Sequence, residues 1–439
     1  MKFANILIFL LFIQNCSFDN KTGIWEENDN ISNTEKQEVF KDFKTLSSHN
    51  DPFEKIINIK KNFKFKLSTP IQNLSWKQTF FNQENNLSNF KYNNLNQVHF
   101  KSKKLSKKKI SKILYSDDFI ITSDTKGDLI IYSIANENSY KFNFYRKKYK
   151  NLRKDLNLIV KGDVIYVSDN IGYLYAFDFK RKKILWAKNY KIPFRSNLKI
   201  FNNKIAASNQ NNNLYFFDIK TGEILRLIPT DQTLVVNKFK SSMSINKNIL
   251  FYLNTYGSLY SVNLESLRVN WFLNLNSFSK INSSKIFSAS QIINNNKNII
   301  VSTDQFTYII DSKNGNIKNK INFSSKKNLV MSNNYLFLIT KNNLLIAMNL
   351  ENGKIIYSYN LYKTVLKSSK LKKETDIKKL LLVNNFLYIF FNNSKLFKLN
   401  ARGEKMEEIE LPSSISSQPI FVNEYLLYLD KKNKLIILN

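Results

Sequence analysis

Residues 171–188 read IGYLYAFDFKRKKILWAK. Apolar and aromatic side chains alternate with polar ones on either side of a charged break, which is the pattern of two half-buried strands joined by a turn. Two variants follow, NNNLYFFDIKTGEILRL at 211–227 and YGSLYSVNLESLRVNWFL at 256–273. A phrase written three times is a structural unit before it is anything else, so repeats have to be counted before domains.

With Asp178 of LYAFD as the anchor, equivalent places fall at Ser133, Asp218, Asn263, Asp311, Asn349, Asn400 and Asn439, at intervals of 45, 40, 45, 48, 38, 51 and 39 residues. That period, with β-branched and aromatic residues bounded by Asn, Gly and Asp, is the period of β-propeller blades. Four strands fit one unit. In the third they are NLKIF (197–201), KIAAS (204–208), NLYFFDI (213–219) and EILRLI (223–228), joined by Asn- and Gly-rich turns that accept positive φ.

The last unit ends at Asn439 one strand short. IQNLSWKQTF (71–80) places Trp76 in a setting like that of Trp186 and Trp271 in complete fourth strands, and it is expected to supply the missing one. The expected fold is therefore all-β, an eight-bladed propeller of four-stranded antiparallel blades over residues 67–439, closed by an N-terminal strand near Trp76. Closure removes the free sheet edges of an open ring.

Sixty-seven Lys and Arg against 34 Asp and Glu leave a formal charge of +33, spread along a chain rich in Lys, Asn and Ile. The spread reads as compositional bias rather than a polyanion groove, and no nucleic-acid partner is expected. One dense run, KSKKLSKKK (101–109), has no interleaved aromatics for stacking bases and reads as a solvated loop. Two histidines, His49 and His99, and a single cysteine, Cys16, exclude a Cys/His zinc site and an internal disulfide. Neither histidine sits in a motif that positions a nucleophile. No catalytic residue, metal or cofactor is expected.

The chain opens MKFANILIFLLFIQNC, with Lys2 before an apolar run from Ile6 to Ile13 that is too short to span a bilayer and reads as a signal-peptide core. Residues 1–16 then resemble a bacterial lipoprotein signal, with Cys16 as the acylated residue. Gln14 and Asn15 depart from the small residues usual before that cysteine. Ser17 rather than Asp follows it, which by resemblance to the lipoprotein sorting rule implies the outer membrane, periplasmic face, lipid-anchored. Residues 17–66 are polar and aperiodic and read as a flexible tether.

The repeat GxLYAxDxxTGxxxW is similar to the quinoprotein-type propeller repeat. Gly172, Tyr175, Asp178 and Trp186 match it in the best copy, and Asp218 and Gly222 in the next. Gly257 and Trp271 hold the corresponding places in the fourth unit. Their roles are structural: the glycine turns the chain into the third strand, the acid caps the following turn and the tryptophan plugs the space between blades.

Two families carry exported propellers of this kind. Quinoprotein dehydrogenases hold pyrroloquinoline quinone and Ca²⁺ on the propeller axis, in larger chains. The chain more closely resembles the family of the outer-membrane assembly factor BamB. That resemblance implies a monomeric, non-catalytic scaffold subunit of the BAM complex. It would bind the POTRA domains of BamA beside other BAM subunits and assist folding and insertion of outer-membrane proteins, with unfolded ones as further partners. Rim segments NYKIPFRSN (189–197) and IPTDQTLVV (228–236), carrying Arg195 and Asp231, are candidate partner-binding loops. An exported scaffold for another envelope complex and a quinoprotein dehydrogenase stand as alternatives.

Overall fold

A computed structural model describes residues 53–87, 89–145, 149, 151–232, 239–278, 286–325, 327–364 and 376–439, together with strands Cys16–Phe18 and Trp25–Glu27. The last two pair antiparallel within a separate unit, Met1–Asp51, and the rest forms a second unit, Pro52–Asn439.

Eight four-stranded antiparallel sheets make up the second unit. Blade 1 consists of Ile110–Ser116, Phe119–Asp124, Asp128–Ser133 and Asn138–Asn143, and blade 2 of Leu156–Lys161, Val164–Asp169, Tyr173–Asp178 and Lys183–Asn189. Blades 3 to 7 repeat the order, beginning with innermost strands Lys199–Phe201, Ser242–Asn246, Ile293–Asn294, Val330–Ser332 and Ile377–Val383. Burial follows position. In blade 2 the second and third strands are almost wholly buried, while the fourth alternates between exposed and half-buried residues. A sheet covered on both faces by its neighbours reads as continuous apolar text, and only its outermost strand keeps the alternation of a solvated edge.

The turns explain how so few glycines suffice. The first two strands of several blades are joined by two residues at positive φ, among them Asp117 and Asp118, Asn202 and Asn203, and Asn384 and Asn385. Asp and Asn tolerate the left-handed region better than other side chains, and two successive positive φ values give the type I′ turn that matches strand twist.

The eighth blade is shared between the chain's two ends, but not through Trp76. Ile420–Val422, Tyr425–Leu429 and Lys434–Leu438 are completed by Val98–Lys104, with Val98 opposite Leu438 and Lys104 opposite Lys434. The first half of the Lys-rich run is thus the closing strand rather than a loop. An outermost strand is solvated, so lysine suits it and also discourages edge-to-edge pairing. The propeller also begins before residue 67. The Phe53 amide donates to Asn322 O, and Ile57 exchanges two backbone hydrogen bonds with Ser358, so residues 53–66 of the expected tether run along blades 5 and 6.

Candidate functional site: a filled axial channel

In a propeller the innermost strands surround an axis, and each turns an unpaired backbone edge towards it. Those N–H and C=O groups need partners or water. Here residues 73–93 supply the partners, passing once around the channel. The Asn73 amide donates to Phe421 O of blade 8 at 2.7 Å. Trp76 exchanges backbone hydrogen bonds of 2.8 and 2.9 Å with Tyr115 of blade 1, and Lys77 O accepts from Val160 N of blade 2. Gln83 reaches Ile200 O of blade 3 at 2.7 Å, and its own carbonyl accepts from Ile245 N of blade 4. The Asn85 amide spans two blades, donating to Met243 O and Ile292 O at 2.8 and 2.9 Å. Asn86 donates to Met331 O of blade 6 and accepts from its amide. Phe90 N donates to Leu382 O of blade 7 at 3.0 Å, and Asn93 N returns the segment to Glu424 O of blade 8.

Asn and Gln suit this task because one amide both donates and accepts, as a strand neighbour would. Trp76, at 0% exposure, belongs to this segment and not to an outer strand; its ring packs 4.9 Å from Phe81 and 5.5 Å from Phe90. Lys199, the first residue of blade 3, is 1% exposed, and its ammonium donates to Gln78 Oε1, Asn82 O and Asn85 Oδ1 at 2.9, 2.9 and 2.7 Å. Burial holds its pKa well below the usual lysine range, against the opposing pull of Glu84.

The repeat residues lie between and within blades. The Trp186 ring sits against Gly222 of the next blade, where an added Cβ would stand 2.8 Å from two ring atoms, and its Nε1 donates to Ile219 O. Trp271 meets Gly315 of blade 5 in the same way. Asp178 Oδ1 accepts from Arg181 N, and Asp218 Oδ1 from the amides of Lys220 and Thr221. Tyr175 stacks on Phe144, and its hydroxyl donates to Asp169. Gly172 and Gly257 both take positive φ, at +108° and +102°, in the turn before the third strand. A second set of caps escaped sequence reasoning. Asp169 Oδ1 accepts from Ile171, Gly172 and Tyr173, and Asn254 Oδ1 from Tyr256, Gly257 and Ser258. The recurring Asp or Asn three residues before the glycine is the signal that would have found them.

Arg195 and Asp231 do not come together. Arg195 donates to Phe239 O, while Asp231 accepts from Ser258 and Tyr260 of blade 4. His99 packs beside Tyr425 at 4.9 Å on the closing strand. His49 lies outside the described residues. Cys16 is described only through its backbone, in strand Cys16–Phe18.

Residues of the axial segment also line two cavities, one of about 440 Å³ that includes Phe80, Asn85 and Leu87 and one of about 360 Å³ that includes Thr79. Their lining is basic, with Lys327, Lys378 and Lys379 in the first and Lys109, Lys112 and Lys240 in the second. Asp304 is paired to Lys341 at 2.8 Å, and Asp155 is paired to Lys240. Among the described residues no group of acids, histidines and cysteines is placed to hold a metal ion. This lining does not fit a calcium–quinone pair, which needs free carboxylates on the axis.

The ring of blades, the Trp–Gly packing and the capped third-strand turns define a PQQ-like β-propeller. Residues 144–359 match the family model described as outer membrane protein assembly factor BamB. Among solved structures, BamB from Moraxella catarrhalis aligns over 78% of this chain and 99% of its own, with TM-score 0.60 and 11% identity. A europium-containing methanol dehydrogenase aligns over 83% and 89%, with TM-score 0.59 and 8% identity. The quinohemoprotein alcohol dehydrogenase from Comamonas testosteroni aligns over 84% and 81%, with TM-score 0.56 and 10% identity. At such identities these likenesses concern the fold alone. One curated protein, Protein Ycf2 of Physcomitrium patens, is 28% identical over 356 residues, and the chain spans only 15% of its length.

Proposed function

We propose that the chain is a non-catalytic scaffold lipoprotein of the outer-membrane β-barrel assembly complex, binding BamA through its POTRA domains and assisting insertion of outer-membrane proteins. The observation that carries this reading is the match of residues 144–359 to the BamB family model, on a propeller whose axis is filled by its own residues 73–93. A channel closed in this way leaves rims and outer strands as the working surface, and a rigid ring with loops at its rims is suited to holding a partner domain. The quinoprotein reading draws on structural likeness alone, and the basic, carboxylate-poor lining of the channel speaks against it.

In the same proposal residues 1–16 are a lipoprotein signal, Cys16 is acylated, and the polar stretch up to residue 51 tethers the propeller to the periplasmic face of the outer membrane. A lipid anchor and a flexible arm raise the local concentration of the propeller near a membrane-embedded partner. The deciding experiment is co-purification of the tagged protein after gentle membrane extraction. BamA is expected in the eluate; its absence, with a different envelope complex in its place, overturns the assignment. Cys16→Ala should release the protein from the membrane fraction.

A further inference from the structure

The innermost strands of blades 1 and 7 share an irregularity at the end of the channel away from their two-residue turns. In blade 7, Ile377 stands opposite Phe391 and Lys379 opposite Phe390, so Lys378 is an extra residue. In blade 1, Ile110 stands opposite Asp124 and Ile113 opposite Thr122, so Ser111 and Lys112 face a single partner position. The innermost strands of blades 2 and 4 keep one-to-one pairing throughout. A bulge breaks the alternation of a strand and re-aims a side chain. Here both bulges fall on lysines, and Lys378, Lys379 and Lys112 all line the cavities beside the axial segment.

These lysines differ from the exposed ones that produce the overall charge. Lys379 is 9% exposed, and no hydrogen-bond acceptor or carboxylate serves its ammonium among the described residues. Among the described residues Lys378 donates only to Ser416 O, at 2.6 Å. The acids nearby are committed elsewhere: Asp155 to Lys240, Asp304 to Lys341, and Asp376 to Lys327 at 3.5 Å. Lys109 and Lys327 repel Lys378, and Lys378 repels Lys379. Buried like charges without counterions are costly, and a compact anion relieves both the repulsion and the missing hydrogen bonds.

We propose that the larger of these two cavities binds a multiply charged oxyanion of the phosphate type, held by Lys327, Lys378 and Lys379. Each ammonium offers three donors, and a ligand with several charged oxygens can accept from more than one of them at once. The axial segment contributes Phe80 and Asn85 to the lining. The site is independent of the assembly role and stands whether or not BamA is the partner.

The test is calorimetric titration of the full chain with sodium tripolyphosphate at physiological salt, where exposed lysines are screened. One-to-one binding is expected. The double variant Lys378→Met/Lys379→Met should weaken it by about tenfold or more, because buried charged donors are lost. Lys220→Met/Lys313→Met, on exposed turns, should leave it within about twofold, as rim charges contribute little. Equal loss in both variants, or many weak sites, would overturn the proposal. Should the first variant fail to fold, amine acylation of the wild type followed by peptide mass mapping decides instead: tripolyphosphate should protect Lys378 and Lys379 but not Lys220. Lack of selective protection sinks the site. Vesicles of phosphatidylglycerol identify the source of the phosphate. Binding lost in the double variant assigns it to a lipid headgroup, and no vesicle binding beside retained tripolyphosphate binding assigns it to a soluble ligand.

Discussion

The ammonium of Lys199 lies 2.7 Å from Asn85 Oδ1, and that contact ties the innermost strand of blade 3 to the segment that fills the channel. Two further bonds, to Gln78 and Asn82, spread the tie over eight residues of the segment. Lys199→Ala removes the donor that serves the side-chain oxygens of Gln78 and Asn85, a loss of about 2–4 kcal/mol. Urea melts should show a lower midpoint with an unchanged slope. Lys199→Met, which keeps the stem, should recover part of the packing but not the hydrogen bonds. A melt indistinguishable from wild type would mean that the segment is held without this residue.

The Trp186–Gly222 contact predicts a graded response to adding one methyl group. At Gly222, φ is +74° and a Cβ would stand 2.8 Å from the tryptophan ring, so Gly222→Ala meets both backbone strain and overpacking. The expected cost is about 2–4 kcal/mol. At Gly162, φ is +57° and no atom lies within 4 Å, so Gly162→Ala meets backbone strain alone. About 1 kcal/mol is expected there. Thermal melts of both variants check the difference. Equal costs would show that the interblade plug contributes nothing beyond backbone conformation.

Most of the ring was legible because each blade repeats its own turn chemistry: Asp178, Asp218 and Asn263 mark the same corner, and their spacing counts the blades. What misled was tryptophan. Trp186 and Trp271 sit in outer strands, and analogy with them puts Trp76 in one, whereas its segment pairs with innermost strands. Outer strands do not require tryptophan; Val98–Lys104 is polar and lysine-rich because five of its seven residues face water. FNQENNLSNF, by contrast, has the composition of a linker. Its amides are buried because they complete strand edges contributed by residues more than a hundred positions away, and no local pattern reports such partners. The bulges at Lys112 and Lys378 were hidden for the same reason, since register is a property of the pair.

Lys379 also predicts how stability varies with pH. Burial, reinforced by Lys378, depresses its pKa from 10.5 to about 7, so the unfolded chain binds more protons than the folded one between those values. Stability contributed at this site therefore rises with pH through that window and is lowest below about pH 7, where the buried ammonium is fully charged. Lys379→Met should raise the melting temperature at pH 6, with a ceiling of about 5 kcal/mol set by the shift. The gain should shrink towards pH 10. A benefit independent of pH would assign the effect to packing rather than charge.

Two truncations separate the N-terminal stretch from the axial segment. A chain beginning at Pro52 loses only the separate unit Met1–Asp51, and its melting temperature should match that of the full chain within about 2 °C. A chain beginning at Asn96 keeps the closing strand Val98–Lys104 but loses every hydrogen bond that residues 73–93 make to the innermost strands. Those strands would then face the channel with bare backbone edges, and the aromatic cluster of Trp76, Phe81 and Phe90 would be gone. A fall of about 5 °C or more is expected, because about 4 kcal/mol moves the midpoint of a chain this size by that much. If the chain beginning at Asn96 melts like the one beginning at Pro52, the segment is an insert in a ring that closes without it, and the channel is then free to hold something else.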